Sequence, residues 1–281
     1  MRFQCLKNDG KARLGSFATA HGSFQTPNFM PVGTRASVKG VSAQHLEDVG
    51  AQIMLVNTFH LLLRPGSELI QELGGIHSFM GWKRPVLSDS GGFQVFSLQK
   101  LRSIEEEGVR FRSPVDGAEI FLSPERAIQI QEELGVDIAM GFDECPPSTL
   151  DRDATALSLD RTHRWLKRSA DARTRDDMSL FGITQGGLFE DLRKESADFL
   201  REIPFDGYAI GGLSVGEGQE EMYRVLSFHP DHLPSEKIRY LMGVGTPEDL
   251  IEAVWNGVDL FDCVMPTRSG RFGRAFVSGA L

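Results

Sequence analysis

A short apolar run that ends in glycines or polar residues, followed by a stretch with helical periodicity, recurs eight times along this chain, and no other feature limits its fold as tightly. The runs occupy residues 27–34, 51–60, 85–92, 137–145, 180–187, 207–216, 239–246 and 258–268. Each reads as a strand buried on both faces. Strands alternating with helices specify a parallel sheet, because a helix must return the chain to the same end of the sheet before the next strand. Eight such units specify a closed (β/α)8 TIM barrel, and 281 residues is a common size for that barrel as a single domain over 1–281.

The intervening segments carry helix-start signals. Ser123-Pro124-Glu125 offers a cap and a proline at the first helical position, and Thr246-Pro247-Glu248-Asp249 offers a cap and early acids. Further helices are expected over 42–49, 67–73, 153–175, 190–203 and 217–228. Two pieces stand outside the alternation. Residues 1–26 read as an antiparallel N-terminal extension with turns at Asn8-Asp9-Gly10 and His21-Gly22, and 109–122 reads as an inserted hairpin around Asp116-Gly117. The eighth helix is expected to be missing, since only about a dozen residues follow the last run. Apolar surface between the first and seventh helices is then expected to lie uncovered.

No stretch approaches the ~18 consecutive apolar residues of a membrane span, and the first residues lack a signal-peptide layout, so a cytoplasmic protein is expected. Cys5, Cys145 and Cys263 form no Cys-x-x-Cys pair, so neither a disulfide framework nor a cysteine-type metal site is read in this chain. The net charge of -9 argues against sequence-independent binding along a polyanion. Its distribution leaves a local site open at the two ends. Arg2, Lys7, Lys11, Arg13, Arg35 and Lys39 face only Asp9 in the first forty residues, and Arg268, Arg271 and Arg274 follow Asp262 with no acid among them. These are read either as a polyanion site or as solvated faces.

In such a barrel, reactive groups gather at the C-terminal strand ends. Asp89, Asp143 and Asp262 each end an apolar run there, where a buried charge costs several kcal/mol unless it is paired or used. Each alone could be structural; three at one mouth favour catalysis, because paired carboxylates divide nucleophile and proton-donor roles at an anomeric carbon. Glycine pairs at 91–92, 186–187 and 211–212 either let backbone approach a ligand or make tight turns, and Gly243-Val244-Gly245-Thr246 could form a phosphate cup. Gln185 with Asp143 suits the donor–acceptor edge of a purine-like base, with Phe93 and Met242 either sandwiching its plane or packing as core. His60 is read as a base or a structural group, and Cys145 and Cys263 as packing rather than nucleophiles.

The motifs Val56-Asn57-Thr58-Phe59-His60, Leu87-Ser88-Asp89-Ser90-Gly91-Gly92-Phe93-Gln94-Val95, Phe142-Asp143-Glu144-Cys145, Gln185-Gly186-Gly187, Gly211-Gly212-Leu213-Ser214-Val215-Gly216-Glu217, Tyr240-Leu241-Met242-Gly243-Val244-Gly245 and Phe261-Asp262-Cys263-Val264-Met265-Pro266-Thr267-Arg268 occur in that order over most of the chain. In these the chain resembles the tRNA-guanine transglycosylase family. The resemblance implies a pentosyltransferase that replaces guanine at the first (wobble) anticodon position of GUN-anticodon tRNAs with a 7-deazaguanine, in queuosine biosynthesis. It implies Asp262 as nucleophile toward the ribose and Asp89 as general acid/base. It implies a base pocket of Asp143, Gln185, Gly212, Phe93 and Met242, with Phe93 standing where many relatives have tyrosine. Val215, Leu213 and Glu217 resemble the bacterial subgroup, which inserts 7-aminomethyl-7-deazaguanine. The Leu213 carbonyl and the Glu217 carboxylate would accept from its amine. Arg268, Arg271 and Arg274 would hold the anticodon loop of the tRNA.

The resemblance also implies a homodimer, and one structural zinc held by cysteines and a histidine beyond the end of this sequence, followed by the closing helix. The absence of both from the sequence motivates a rival expectation: a truncated, catalytically impaired remnant or a tRNA-binding partner subunit.

Overall fold

The computed structural model describes residues 3–97 and 102–277. The chain opens on three antiparallel strands, β1 (Phe3–Asp9), β2 (Ala12–Thr19) and β3 (Gly22–Thr26), turning at the two sites expected from the sequence. The first barrel run becomes two strands, β4 (Asn28–Met30) and β5 (Val32–Gly33). Pro31, which has no N–H to donate, lies between them. Next come β6 (Met54–Val56) and β7 (Val86–Ser88). An inserted antiparallel sheet follows, of β8 (Arg102–Ile104), β9 (Val109–Arg112) and β10 (Glu119–Leu122). The expected hairpin is β9–β10, and a third strand pairs on the far edge of β9. The barrel resumes with β11 (Ile138–Met140), β12 (Ser179–Thr184), β13 (Gly207–Ile210), β14 (Ile238–Leu241) and β15 (Leu260–Asp262). These strands pair in parallel, and the ring closes because β15 pairs β4 while β5 pairs β6. This is the (β/α)8 barrel expected from the sequence.

The helices are α1 (Ala43–Asp48), α2 (Thr58–Leu63), α3 (Ser67–Glu72), α4 (Gly75–Met80), α5 (Gly92–Ser97), α6 (Pro124–Leu134), α7 (Arg152–Ala172), α8 (Glu190–Arg201), α9 (Gln219–Phe228), α10 (Pro247–Trp255) and α11 (Met265–Arg271). Ser123 and Thr246 cap α6 and α10 as their sequences foretell, each side chain accepting a backbone N–H of the first turn. The sequence runs overshoot the strands. Run 51–60 contributes only Met54–Val56 before α2 begins at Thr58, and run 258–268 stops at Asp262 with α11 starting at Met265.

Period-two alternation sorts the strand residues. Leu55, Leu87, Met140, Ile183, Tyr240 and Leu260 fill the barrel, while Met54, Val56, Val86, Leu241 and Phe261 join the layer under the helices. Phe3, Phe17 and Phe24 belong to the inner cluster, and Phe17 meets Phe181 edge-on at 5.7 Å. The N-terminal sheet thus plugs the barrel at the N-terminal ends of its strands. Buried Arg13 clamps it there through both oxygens of Asp259, just before β15. His21 does the same through Asp137, just before β11.

α11 follows the eighth barrel strand, but none of its residues is buried, so it does not cover the wall. Among the described residues Ile251 and Trp255, one turn apart on α10, are 71% and 69% exposed, and Val49 at the end of α1 is 78% exposed. The uncovered apolar surface expected near the first and seventh helices is present. No helix among the described residues is long and apolar enough to cross a membrane.

Candidate active site

A cavity of about 380 Å³ opens at the C-terminal ends of the barrel strands, within the ~300–1,000 Å³ of typical small-ligand clefts. Asp89, Asp143, Gln185, Gly212, Leu213, Phe93, Met242 and Asp262 all line it. Eight of the residues singled out from sequence therefore meet in one place.

Asp89 follows β7 and is almost fully buried. Its Oδ1 accepts from the backbone N–H of Thr58 at 2.8 Å and of Gly91 at 3.2 Å; its Oδ2 accepts from Asn57 and from Gln94 Nε2 at 2.8 Å. Desolvation raises its pKa to about 6 against the pull of these donors, and the charge of Asp262 adds to the rise. Asp262 ends β15. Its Oδ1 accepts from the Tyr240 hydroxyl at 2.5 Å and from the Gly243 N–H at 2.9 Å, while no hydrogen bond from the described residues falls on Oδ2. Burial raises this carboxylate too. The two acids sit in distinct settings, one held by four donors and the other by two on a single oxygen. Unequal settings are how one site runs an acid and a nucleophile together.

Asp143 accepts from Gln185 Nε2 at 2.7 Å, and desolvation lifts it to about 6. Gln185 Oε1 is buried with no hydrogen-bond partner among the described residues, although such groups are nearly always paired. An orphaned acceptor beside a carboxylate, at the wall of a cavity, is a socket for a ligand's N–H groups. Phe93 is 55% exposed at the cavity wall, and Met242 is half-buried. Desolvation pushes the Cys145 thiol up to about 12 and raises Cys263. Neither is a thiolate at neutral pH. His60 lines the cavity, its pKa lowered first by burial and then by Arg35.

Glu217 does not line the cavity. Its carboxylate accepts the backbone N–H groups of Ser214 and Val215, so it braces the turn after Leu213 rather than facing the ligand space. Both oxygens expected to receive an amine directly are thus not equally placed: Leu213 is at the wall, and Glu217 stands behind it.

Sequence reasoning missed Arg193. Fully buried on α8, its guanidinium donates to the carbonyls of Gly187 at 2.7 Å, Gly211 at 2.8 Å and Gly212 at 3.4 Å, joining the turns after β12 and β13. A signal existed: Arg193 precedes buried Ser196, Ala197 and Leu200 at i, i+3, i+4 and i+7, on the inward stripe of the helix. Asn57 and Thr58 were placed at the strand end, but their role as donors to Asp89 was not foreseen.

Arg268, Arg271 and Arg274 are exposed on and after α11, beside the cavity-lining Val264. Arg271 donates to the Lys39 carbonyl at 3.5 Å, bringing the loop after β5 to the same rim. The basic N-terminal segment divides. Buried Arg13 is spent on Asp259 and Lys11 pairs with Asp231 at 2.6 Å, so neither is free for a polyanion. Arg2 lies outside the described residues. The cysteines do not gather either: Cys5 is exposed on β1, and no group of possible metal ligands among the described residues includes a cysteine.

Comparison with known proteins decides what this geometry belongs to. A family model described as queuine tRNA-ribosyltransferase matches residues 8–281. The chain belongs to that family. It is 60% identical over 268 residues to the queuine tRNA-ribosyltransferase of Halothermothrix orenii, covering 95% of this chain and 72% of that relative. It is 57% identical over 281 residues to the enzyme of that name from Pseudomonas aeruginosa, covering 100% and 76%. With the Francisella tularensis subsp. novicida protein of the same name it shares 54% over 278 residues, covering 99% and 76%. Membership in the queuine tRNA-ribosyltransferase family makes the chain a pentosyltransferase by class.

Proposed function

We propose that the chain exchanges guanine at the first anticodon position of GUN-anticodon tRNAs for 7-aminomethyl-7-deazaguanine, through a covalent bond between Asp262 and the ribose. The observation that carries this reading is the meeting of Asp89 and Asp262 in one cavity with unequal hydrogen-bond settings. Asp262 Oδ2, which takes no hydrogen bond among the described residues, attacks the anomeric carbon, and the Tyr240 and Gly243 donors on Oδ1 hold the carboxylate in place. The glycosidic bond breaks, its electron pair leaves with the guanine nitrogen, and the Asp89 carboxyl supplies the proton. A carboxyl with a pKa near 6 is protonated often enough at neutral pH to do so. The incoming base then gives its ring N–H proton to Asp89 and attacks the same carbon, and the Asp262 ester breaks. Two displacements retain the configuration at the sugar, as in retaining glycosidases.

Asp143 and the unpartnered Gln185 Oε1 suit the amide and amine N–H groups of a guanine-like edge, between Phe93 and Met242. Gly212 at φ +65° lets its backbone approach Gln185, since a Cβ there would overlap that amide. To reach this cavity the nucleotide must leave its stack, and the exposed arginines of the rim fit the phosphates of an opened loop.

Incubating the chain with unmodified GUN-anticodon tRNA and radiolabelled guanine should give label exchange and an RNA–protein adduct that survives denaturation. Asp262→Asn should lose both. An adduct of unchanged yield in that variant would overturn the assignment of the nucleophile.

A further inference from the structure

On the outer wall, away from the cavity, α7 and α8 bring together Asp160, His163 and Glu195, whose potential ligand atoms all lie within 4.8 Å of one another. His163 is 6% exposed, and its Nε2 is buried with no hydrogen-bond partner. The ring lies flat on Phe199 of α8 at 4.2 Å. Asp160 and Glu195 are exposed, and neither joins an ion pair or side-chain hydrogen bond among the described residues. The cations that could neutralise them are engaged elsewhere: Arg164 is bidentate to Glu106 and Arg152 is held by Asp191. Two carboxylates in no ion pair thus flank a buried imidazole whose Nε2 has no hydrogen-bond partner among the described residues.

We infer that these three residues form a binding site for a divalent transition-metal ion of the zinc class, cross-linking α7 to α8. One imidazole nitrogen and two carboxylate oxygens, with water completing a tetrahedron, is a ligand set such ions accept. Ligand bonds of about 2.1 Å put tetrahedral donors about 3.4 Å apart, so the site must contract on binding. The carboxylates, exposed and unpaired, are free to make that movement while the histidine stays fixed. The other three-residue group among the described residues, His21, His77 and Asp137, is closed by contrast. Both imidazoles already bond the carboxylate, at 2.9 and 3.1 Å, and the two rings stack at 3.5 Å, which points their lone pairs in parallel rather than at one ion.

The test is titration of the full chain, stripped with a chelator, with Zn²⁺ by calorimetry and with Co²⁺ by visible absorption. The expected result is one saturable equivalent and a melting temperature that rises with Zn²⁺ concentration. Asp160→Asn and Glu195→Gln, both at the surface, should leave the metal-free melting temperature unchanged. Each should weaken uptake by more than the roughly tenfold that even outer-shell changes cause. No saturable uptake up to millimolar ion would overturn the inference. So would uptake that survives the Asp160→Asn, Glu195→Gln double variant, or that is lost on His77→Ala instead.

Discussion

Asp143 and Asp89 are carboxylates held near pKa 6 by burial, and that makes each a cost to folding that depends on pH. A carboxyl whose folded pKa exceeds its unfolded value binds its proton more tightly when folded. The penalty is therefore full above about pH 6 and vanishes below about pH 4. Asp143→Asn keeps an acceptor for Gln185 and removes the charge. Its unfolding free energy should exceed that of the parent by at most about 3 kcal/mol at pH 8, and the difference should shrink as urea titrations move to pH 5. Arg193→Met should act differently. It leaves the carbonyls of Gly187 and Gly211 without their donor, for a loss of about 1–3 kcal/mol at any pH and a raised KM for the free base, read from guanine-exchange kinetics. Of these residues the acids were legible in sequence because each closes an apolar run. Arg193 was not, because an arginine on a helix reads as surface until the helix's inward stripe is traced through it. Glu217 entered only through the family resemblance, and its bonds to the Ser214 and Val215 N–H groups were not legible, since which backbone N–H groups a carboxylate meets depends on a glycine-rich turn that periodicity does not encode.

The barrel strands were visible as elements, but their ends were not. Residues 57–60 and 263–268 are the mixed, partly polar tails of their runs, and there the chain turns into α2 at Thr58 and α11 at Met265 instead of extending the strands. Hydrophobicity marks what is buried and is silent on which backbone partner is in reach. The third strand of the insert was hidden for the same reason, because Arg102–Ile104 is only half-buried and shows no alternation strong enough to announce it. The N-terminal strands were legible from their turns, and their purpose emerges from packing. Phe17 stands between Phe24 and Phe181, so Phe17→Ala should cost about 3–5 kcal/mol in chemical denaturation. Exchange kinetics should hold, since the plug sits at the end of the barrel opposite the carboxylates.

Across a molecule of net charge -9, exposed Arg268, Arg271 and Arg274 form a local cationic cluster at the rim of the cavity, where a polyanion would feel their attraction at short range. Replacing all three with alanine should flatten the slope of log Kd against log salt for tRNA by about 2, at ~0.7 per phosphate contact with a single-stranded loop, and leave affinity for the free base unchanged. Closure of the barrel has its own consequence for synthesis. β4 finds its partner β15 only ~230 residues later, the most distant strand pairing among the described residues. While the chain is being translated, β5, β6 and β7 can assemble early, but the half of the first strand before Pro31 waits with a bare edge until Asp262 has left the ribosome. Until then that edge is open to pairing with another chain, and the exposure is set by the topology of closure rather than by the weakness of any one strand.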